Sequence, residues 1–201
     1  MSGAPTGGGK LLLGLDTATD HLALSLVEAP VERGNLGGTE VARFVEQVGR
    51  EHSARLLAEL DALLRRSGAA REDVVGIGVG VGPGSYTGVR IGVSSARALG
   101  RAWGVPVGGS SSLLALLDPE IEPGARGVAL LDARKGNVYA QVGRRLDGPE
   151  PTFEPVGDPV KLPRSEVETR FPGLPVSEGP PSAAVLARRA LLGGSLEPWY
   201  L

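Results

Sequence analysis

The chain has 201 residues, enough for one large domain or for two lobes of roughly 100 residues each. Its formal net charge of −2 and pI near 5.8 argue against a protein that binds nucleic acid on its own, which would carry a basic surface. The absence of cysteine excludes disulfides, thiolate metal sites and a cysteine nucleophile. No apolar run reaches the ~18 residues of a membrane span, and residues 1–10 lack the regions of a signal peptide. We therefore expect a cytoplasmic protein, away from membranes, with a disordered tail over residues 1–10.

The first predicted elements are three strands. Leu11 to Leu15 and Leu22 to Leu26 are apolar or alternating runs, and the polar stretch Asp16 to Asp20 separates them. This pattern predicts a β-hairpin. A third strand is predicted between Thr39 and Val48, after a glycine-rich turn at residues 34–38.

A helix follows these strands. Ser53 is predicted to cap it, and Ser67-Gly68 to end it. The leucines on one arc of its surface are Leu56, Leu57, Leu60, Leu63 and Leu64. This spacing predicts an amphipathic helix with a buried leucine face.

The next predicted elements are a buried strand, Val74 to Val81, and a helix from Ser85 to about Trp103. Small residues recur in this helix every four positions, at Gly88, Gly92, Ala96 and Gly100. Each glycine inside a helix costs about 1 kcal/mol relative to alanine, so a close neighbour must offset the cost. That neighbour is either the sheet beneath a central core helix or the helix of a partner chain.

The second half of the chain repeats the first hairpin. When Asp132 is aligned with Asp16, residues 130–138 match residues 14–22 as strand, aspartate, polar turn and strand. The repeat favours two lobes, residues 11–105 and 106–201, each opening with a hairpin. Beyond Arg144 the chain is rich in proline and glycine, and only one helix is predicted, from Ser182 to Leu192.

The two hairpin aspartates suggest a nucleotide site. Asp16 and Asp132 could hold a hydrated Mg²⁺ between the lobes, and Thr17 and Thr19 could donate hydroxyl groups to a phosphate. Against this, Arg134-Lys135 replaces the small residues that a phosphate cradle needs. The alternative is that both aspartates only shape their turns.

Other catalytic motifs are weaker. The loop Gly80 to Gly84 has neither a P-loop nor a dinucleotide-binding pattern, and Pro83 removes a donor, so a tight turn is favoured over an anion site. The two histidines, His21 and His52, cannot form a histidine-rich metal centre. A catalytic triad would have to use His52 beside Ser53, and no other feature supports one.

Five motifs resemble the TsaB family, also called YeaZ. They are Leu15-Asp16-Thr17-Ala18-Thr19, Glu51-His52-Ser53, the string from Gly82 to Gly92, the stretch from Asp132 to Tyr139, and Pro198-Trp199-Tyr200-Leu201. The resemblance implies an α/β fold of two lobes, of which the second is degenerate. This is the actin-like ATPase fold of sugar kinases and Hsp70, and each lobe is built on an RNase H-like fold. The second lobe is short for the family, and Ser177-Glu178-Gly179 only faintly matches the glycine-rich nucleotide strand.

The resemblance also implies a function. Family members are non-catalytic accessory subunits in bacterial tRNA threonylcarbamoyladenosine synthesis and pair with the larger homologue TsaD. TsaD carries the metal and transfers the threonylcarbamoyl group to adenosine next to the tRNA anticodon, and the small ATPase TsaE joins the pair. The implied protein needs no cofactor of its own, forms a homodimer when alone, and meets tRNA, ATP or ADP and Mg²⁺ only in the complex.

The family contact surface implies a partner interface on the two helices at His52 to Arg66 and Ser85 to Trp103. The residues expected in this four-helix contact are His52, Ser53, Leu57, Ala58, Asp61, Tyr86, Gly88, Val89, Gly92, Val93, Ala96 and Leu99. Two alternatives stay open: an independent ATPase or kinase that uses Asp16 and Asp132, and, with less support, a peptidase of the glycoprotease type.

Overall fold

Two β-sheets form the framework of the computed structural model, which describes residues 9–30 and 38–200. The first sheet has the strand order β3-β2-β1-β4-β5. Its strands are β1 (Leu11–Asp16), β2 (His21–Glu28), β3 (Glu40–Gln47), β4 (Val74–Gly80) and β5 (Val107–Ser110). β1 pairs antiparallel with β2 and parallel with β4. The first hairpin and third strand are thus confirmed, while most of the predicted tail and turn, residues 1–8 and 34–37, lies outside the described residues.

Two long helices, α1 (His52–Ser67) and α2 (Tyr86–Trp103), cover one face of this sheet. The leucine arc of α1 is buried against the sheet except for Leu57. α1 begins one residue before the predicted cap, and the residue at its N-cap is Glu51. α2 follows Ser85 as predicted, and Ser85 is its N-cap, because its hydroxyl oxygen accepts a 3.2 Å hydrogen bond from the Gly88 N–H.

The second sheet has the strand order β8-β7-β6-β9. Its strands are β6 (Arg126–Asp132), β7 (Asn137–Arg145), β8 (Phe153–Pro163) and β9 (Val176–Ser177), with a short helix α3 (Val167–Arg170) between the last two. The second hairpin is confirmed, because β6 ends at Asp132 as β1 ends at Asp16. β8 was not predicted, since Pro155, Pro159 and Pro163 interrupt its pattern. They are tolerated because β8 is an edge strand.

A last helix, α4 (Ala183–Arg188), packs on the opposite face of the first sheet from α1 and α2. Its backbone approaches two glycines of the sheet very closely. A Cβ atom at Gly14 would lie 1.9 Å from the Ala183 carbonyl oxygen, and one at Gly78 would lie 1.9 Å from the Leu186 carbonyl oxygen. The glycines of β1 and β4 therefore make room for α4.

The predicted division into residues 11–105 and 106–201 needs correction. β5 follows residue 106 but pairs in parallel with β4, and α4 also packs on the first sheet. Both elements join the first lobe because its sheet offers an unpaired strand edge and an uncovered apolar face. Within the described residues, no helix is both long and apolar enough to cross a bilayer.

Candidate functional site

A groove of about 550 Å³ lies between the outer sides of α1 and α2. Its lining residues are Ser53, Leu56, Leu57, Tyr86, Thr87, Arg90, Ile91, Ser94 and Ser95. Leu57 is 59% exposed and Tyr86 is 56% exposed. Large apolar side chains this exposed on neighbouring helices are typical of an interaction surface.

The charged groups around the groove differ in how they are paired. On α1, Arg55 donates hydrogen bonds to Glu46 at 2.6 Å and to Glu59 at 2.7 Å, so its charge is satisfied within the chain. On α2, the Arg90 guanidinium lies 5.2 Å from the centre of the Tyr86 ring and donates to the Tyr86 hydroxyl. Among the described residues, Arg90 has no carboxylate partner. It is thus available to pair with an acidic group outside this chain.

The structure divides the predicted contact residues into two sets. Ser53, Leu57, Ala58, Asp61 and Tyr86 are exposed, and Leu99 is half-buried. The others are buried within the chain's own fold: His52, Gly88, Val89, Gly92, Val93 and Ala96. Their assignment to the surface of a partner contact is corrected, because these six residues are covered by the chain's own fold.

The close neighbour of Gly88 and Gly92 in α2 is the turn between β1 and β2, while Gly100 lies against Val107 of β5. A Cβ atom at Gly88 would lie 2.0 Å from the Thr17 carbonyl oxygen, and one at Gly92 would lie 2.4 Å from Thr17 Oγ1. His52 of α1 faces the same hairpin, with its Nε2 3.1 Å from the His21 carbonyl oxygen. For this face of α2, the core-helix alternative is the one that the structure bears out.

Several groove residues were absent from the sequence prediction. They are Leu56 on α1 and Thr87, Arg90, Ile91, Ser94 and Ser95 on α2. Those on α2 are spaced by three or four residues and so share one side of the helix, next to the glycine line. The spacing was visible in the sequence, but the small residues suggested a different side of the helix as the contact face.

The two hairpin aspartates lie in different environments. Asp132 is exposed and lines a cleft of about 390 Å³ together with Thr19, Asp20 and Ser85. Asp16 is buried and is not among the residues that line this cleft. Burial raises the pKa of the Asp16 carboxyl to about 6, although the Ser112 hydroxyl and the Ala18 N–H oppose the rise. An open pair of carboxylates facing one cation is therefore not formed.

Local hydrogen bonds engage the predicted nucleotide-binding groups of the hairpins, apart from Asp16 Oδ2, which is buried without a partner. Thr17 is buried and its hydroxyl donates to the Gly88 carbonyl at 2.7 Å. Thr19 Oγ1 accepts from the His21 N–H at 3.0 Å. Asp16 and Asp132 each accept from the backbone N–H two residues later, at 2.9 Å. These contacts favour the alternative in which both aspartates shape turns.

The loop at residues 80–84 also uses its donors internally. The Val81 N–H donates to the Ser110 carbonyl at 2.9 Å, and the Gly82 N–H donates to the Ser112 hydroxyl at 3.1 Å. A tight turn rather than an anion cradle follows from these bonds. Residues 9–30 and 38–200 contain no cluster of three or more histidine, aspartate or glutamate side chains that could hold a metal ion.

Comparison with known proteins gives matches to proteins of tRNA threonylcarbamoyladenosine biosynthesis. The family model for TsaD, tRNA N6-adenosine threonylcarbamoyltransferase, matches residues 45–179. The chain is 35% identical over 130 residues to the tRNA threonylcarbamoyladenosine biosynthesis protein TsaB of Escherichia coli, covering 64% of this chain and 52% of that protein. The corresponding protein of Bacillus subtilis is 33% identical over 143 residues, covering 68% and 56%. The chain thus spans about half the length of these curated relatives.

A longer match extends over an uncharacterized protein of Mycobacterium tuberculosis, 32% identical over 176 residues, with 88% of this chain and 75% of that protein covered. Among solved structures, YeaZ from Pseudomonas aeruginosa aligns with a TM-score of 0.70 and 26% identity, covering 96% of this chain and all of that chain. The chain has two β-sheets with helices packed on them, and its structure aligns with that of YeaZ. The predicted two-lobed actin-like fold class is therefore confirmed. The degeneracy of the second lobe stays a prediction.

Proposed function

Because this chain belongs to the TsaB (YeaZ) family, we propose that it is a non-catalytic accessory subunit in tRNA threonylcarbamoyladenosine biosynthesis that binds a TsaD homologue. In this proposal, TsaD transfers the threonylcarbamoyl group to the adenosine next to the anticodon. A TsaE homologue joins the pair in the cytoplasm, and tRNA meets this chain only through the complex. The chain needs no cofactor of its own, and ATP or ADP with Mg²⁺ enters with the assembled complex.

The observation that carries the proposal is the exposed apolar groove between α1 and α2. Two neighbouring helices with an apolar groove between them can pack against two helices of a partner to form a four-helix contact. The contact residues in this chain are then the exposed members of the predicted set, with Leu57 and Tyr86 as its apolar centre. The same surface would serve for a homodimer when the partner is absent.

The geometry of the hairpins supports an accessory role over an independent ATPase. Asp16 is fully buried and does not line the cleft, so its carboxylate is not presented to a hydrated Mg²⁺ there. The Thr17 hydroxyl is already bonded to α2. Neither group is presented to a nucleotide phosphate in the cleft that Asp132 lines.

Binding is tested by affinity measurement between the purified chain and the TsaD homologue of the same organism. Leu57→Arg places a charge at the centre of the groove and should weaken binding by tenfold or more. Leu192→Arg is the matched control, because Leu192 is 53% exposed but does not line the groove. Binding by Leu57→Arg that equals the wild type would show that the contact lies elsewhere.

The accessory role is tested by ATP turnover of the purified chain. We expect no robust turnover, and no difference between the wild type and Asp16→Asn. Robust turnover by the wild type that disappears in Asp16→Asn would overturn the accessory role and favour the independent ATPase.

A further inference from the structure

The stretch after α4 crosses the edge of the first sheet. Its backbone packs against β5 at Gly109, where a Cβ atom would lie 2.0 Å from the Ser195 carbonyl oxygen. In turn, a Cβ atom at Gly194 would lie 2.2 Å from the Gly109 carbonyl oxygen. This packing covers the edge strand β5 and carries the chain from the α4 face of the sheet to the α2 face.

From there, residues 195–200, which we call the strap, run beside α2. Arg97 on α2 donates a 3.1 Å hydrogen bond to the Leu196 carbonyl. The Trp199 N–H donates a 2.8 Å bond to the carbonyl of Val81, just before α2 begins. Leu196 also packs on the apolar core beneath α1 and α2. The strap is thus held at both of its ends.

The strap brings a second tyrosine against Tyr86, at the border of the groove. The Tyr200 ring lies 4.9 Å from the Tyr86 ring, centre to centre, with the planes tilted by 39°. Tyr200 remains 51% exposed despite this contact. Arg90 contacts Tyr86 as well, at 5.2 Å from the centre of the ring. Arg90, Tyr86 and Tyr200 therefore form a row that is continuous with the groove around Leu57.

We propose that the strap is part of the docking surface and that Tyr200 contacts the TsaD homologue directly. This inference rests on the proposed function and adds a residue that neither helix contains. The matching surface of the partner would present apolar side chains to the two tyrosine rings and a carboxylate to Arg90. Tyrosine suits this role because it supplies a large contact area from a side chain that loses little conformational freedom on binding. The two anchors of the strap reduce that loss further.

The inference is tested by the affinity of Tyr200→Ala for the TsaD homologue. We expect the dissociation constant to rise about tenfold, as for a central aromatic contact. Tyr200→Phe should stay within about threefold of the wild type, because it keeps the ring. Leu192→Ala is the control for loss of an equally exposed apolar side chain outside the surface, and it should not change the affinity.

A second measurement does not depend on the stability of a variant. Tyrosine nitration of the wild-type chain, followed by peptide mass spectrometry, should modify Tyr200 in the free chain and spare it in the complex. Equal nitration of Tyr200 in both states would overturn the inference.

The outcomes separate this inference from the proposed function. If Tyr200→Ala binds as well as the wild type while Leu57→Arg does not bind, the helical contact stands and the strap is excluded from it. If the wild-type chain does not bind TsaD, the proposed function fails and the inference fails with it. If light scattering shows that Tyr200→Ala weakens only self-association, the occupant is a second copy of this chain and the inference is wrong about the partner.

Discussion

The hydroxyl of Thr17 donates a 2.7 Å hydrogen bond to the carbonyl oxygen of Gly88 and so joins the turn after β1 to the first turn of α2. The backbones also meet here, because the Thr17 carbonyl oxygen occupies the place of a Cβ atom at Gly88. Gly88 and Gly92 therefore allow the hairpin to pack closely against α2, and this packing fixes which side of α2 faces the exterior.

Gly88→Ala should destabilise the fold strongly. The new methyl group would lie 2.0 Å from the Thr17 carbonyl oxygen, a backbone atom that can move only with the whole turn. We expect a loss of about 3 kcal/mol or more in the free energy of unfolding, measured by urea denaturation. Ser94→Ala, on the exposed side of the same helix, should change it by less than about 0.5 kcal/mol. Equal stability of the two variants would contradict the close packing.

Thr17→Val should remove the hydrogen bond to Gly88 while keeping the shape of the side chain. We expect a loss of about 1 kcal/mol in the free energy of unfolding, because one buried hydrogen bond to the Gly88 carbonyl is removed. Thr87→Val removes an exposed hydroxyl from the same region and should change stability by less than half as much. The prediction fails if both valine variants unfold at the same urea concentration.

Asp16→Asn should change how stability depends on pH. The pKa of Asp16 rises from 3.8 to about 6 on folding, so the folded state binds the proton more tightly than the unfolded state. The free energy of unfolding contributed by this group therefore falls as pH rises from about 4 to about 6, and the loss persists at higher pH. Asparagine has no charge to bury, so the variant should be more stable than the wild type at pH 7.5 by about 2 kcal/mol.

Urea denaturation of both proteins at several pH values checks this prediction. The difference between wild type and Asp16→Asn isolates Asp16, because all other titrating groups are common to the two chains. The advantage of the variant should shrink towards pH 4.5. A difference that does not change with pH would show that Asp16 titrates normally in the folded protein.

Arg188→Met should weaken the junction between the two sheets. The buried Arg188 guanidinium donates to the Gly38 carbonyl at 3.0 Å, to the Pro151 carbonyl at 3.0 Å and to Glu150 at 2.8 Å. Its removal leaves these acceptors without a partner, and we expect a loss of about 3 kcal/mol in the free energy of unfolding. Arg188→Lys should not restore it, because an ammonium group cannot donate in this forked geometry.

Arg164→Met is the matched control for Arg188→Met. Arg164 pairs with Glu178 on the surface, so its removal should cost less than about 1 kcal/mol. Thermal unfolding of the three variants beside the wild type gives the comparison. If Arg188→Met and Arg164→Met melt at the same temperature, the buried network does not hold the sheets together.

Local patterns predicted the elements that have a regular period. The alternation in Leu22 to Leu26 and the leucine arc of α1 each describe which side of an element is apolar, and neighbouring residues alone carry that information. β8 was missed because its prolines hide the alternation. A strand tolerates these prolines only where it lies at the edge of a sheet, and the position of β8 in the sheet cannot be read from its own segment.

The sequence by itself determined the two hairpins with their aspartates, the two long helices and the family. It also determined that α2 has a close neighbour along its glycine line. Only the tertiary structure decided that the neighbour of Gly88 and Gly92 is Thr17 of the same chain, which moves the candidate contact face to Leu57, Tyr86 and Arg90. It likewise decided that α4 and the strap return to the first lobe, so that Tyr200 meets Tyr86. The physical reason is that spacing along a segment shows which side will be covered, whereas what covers it depends on residues distant in the chain.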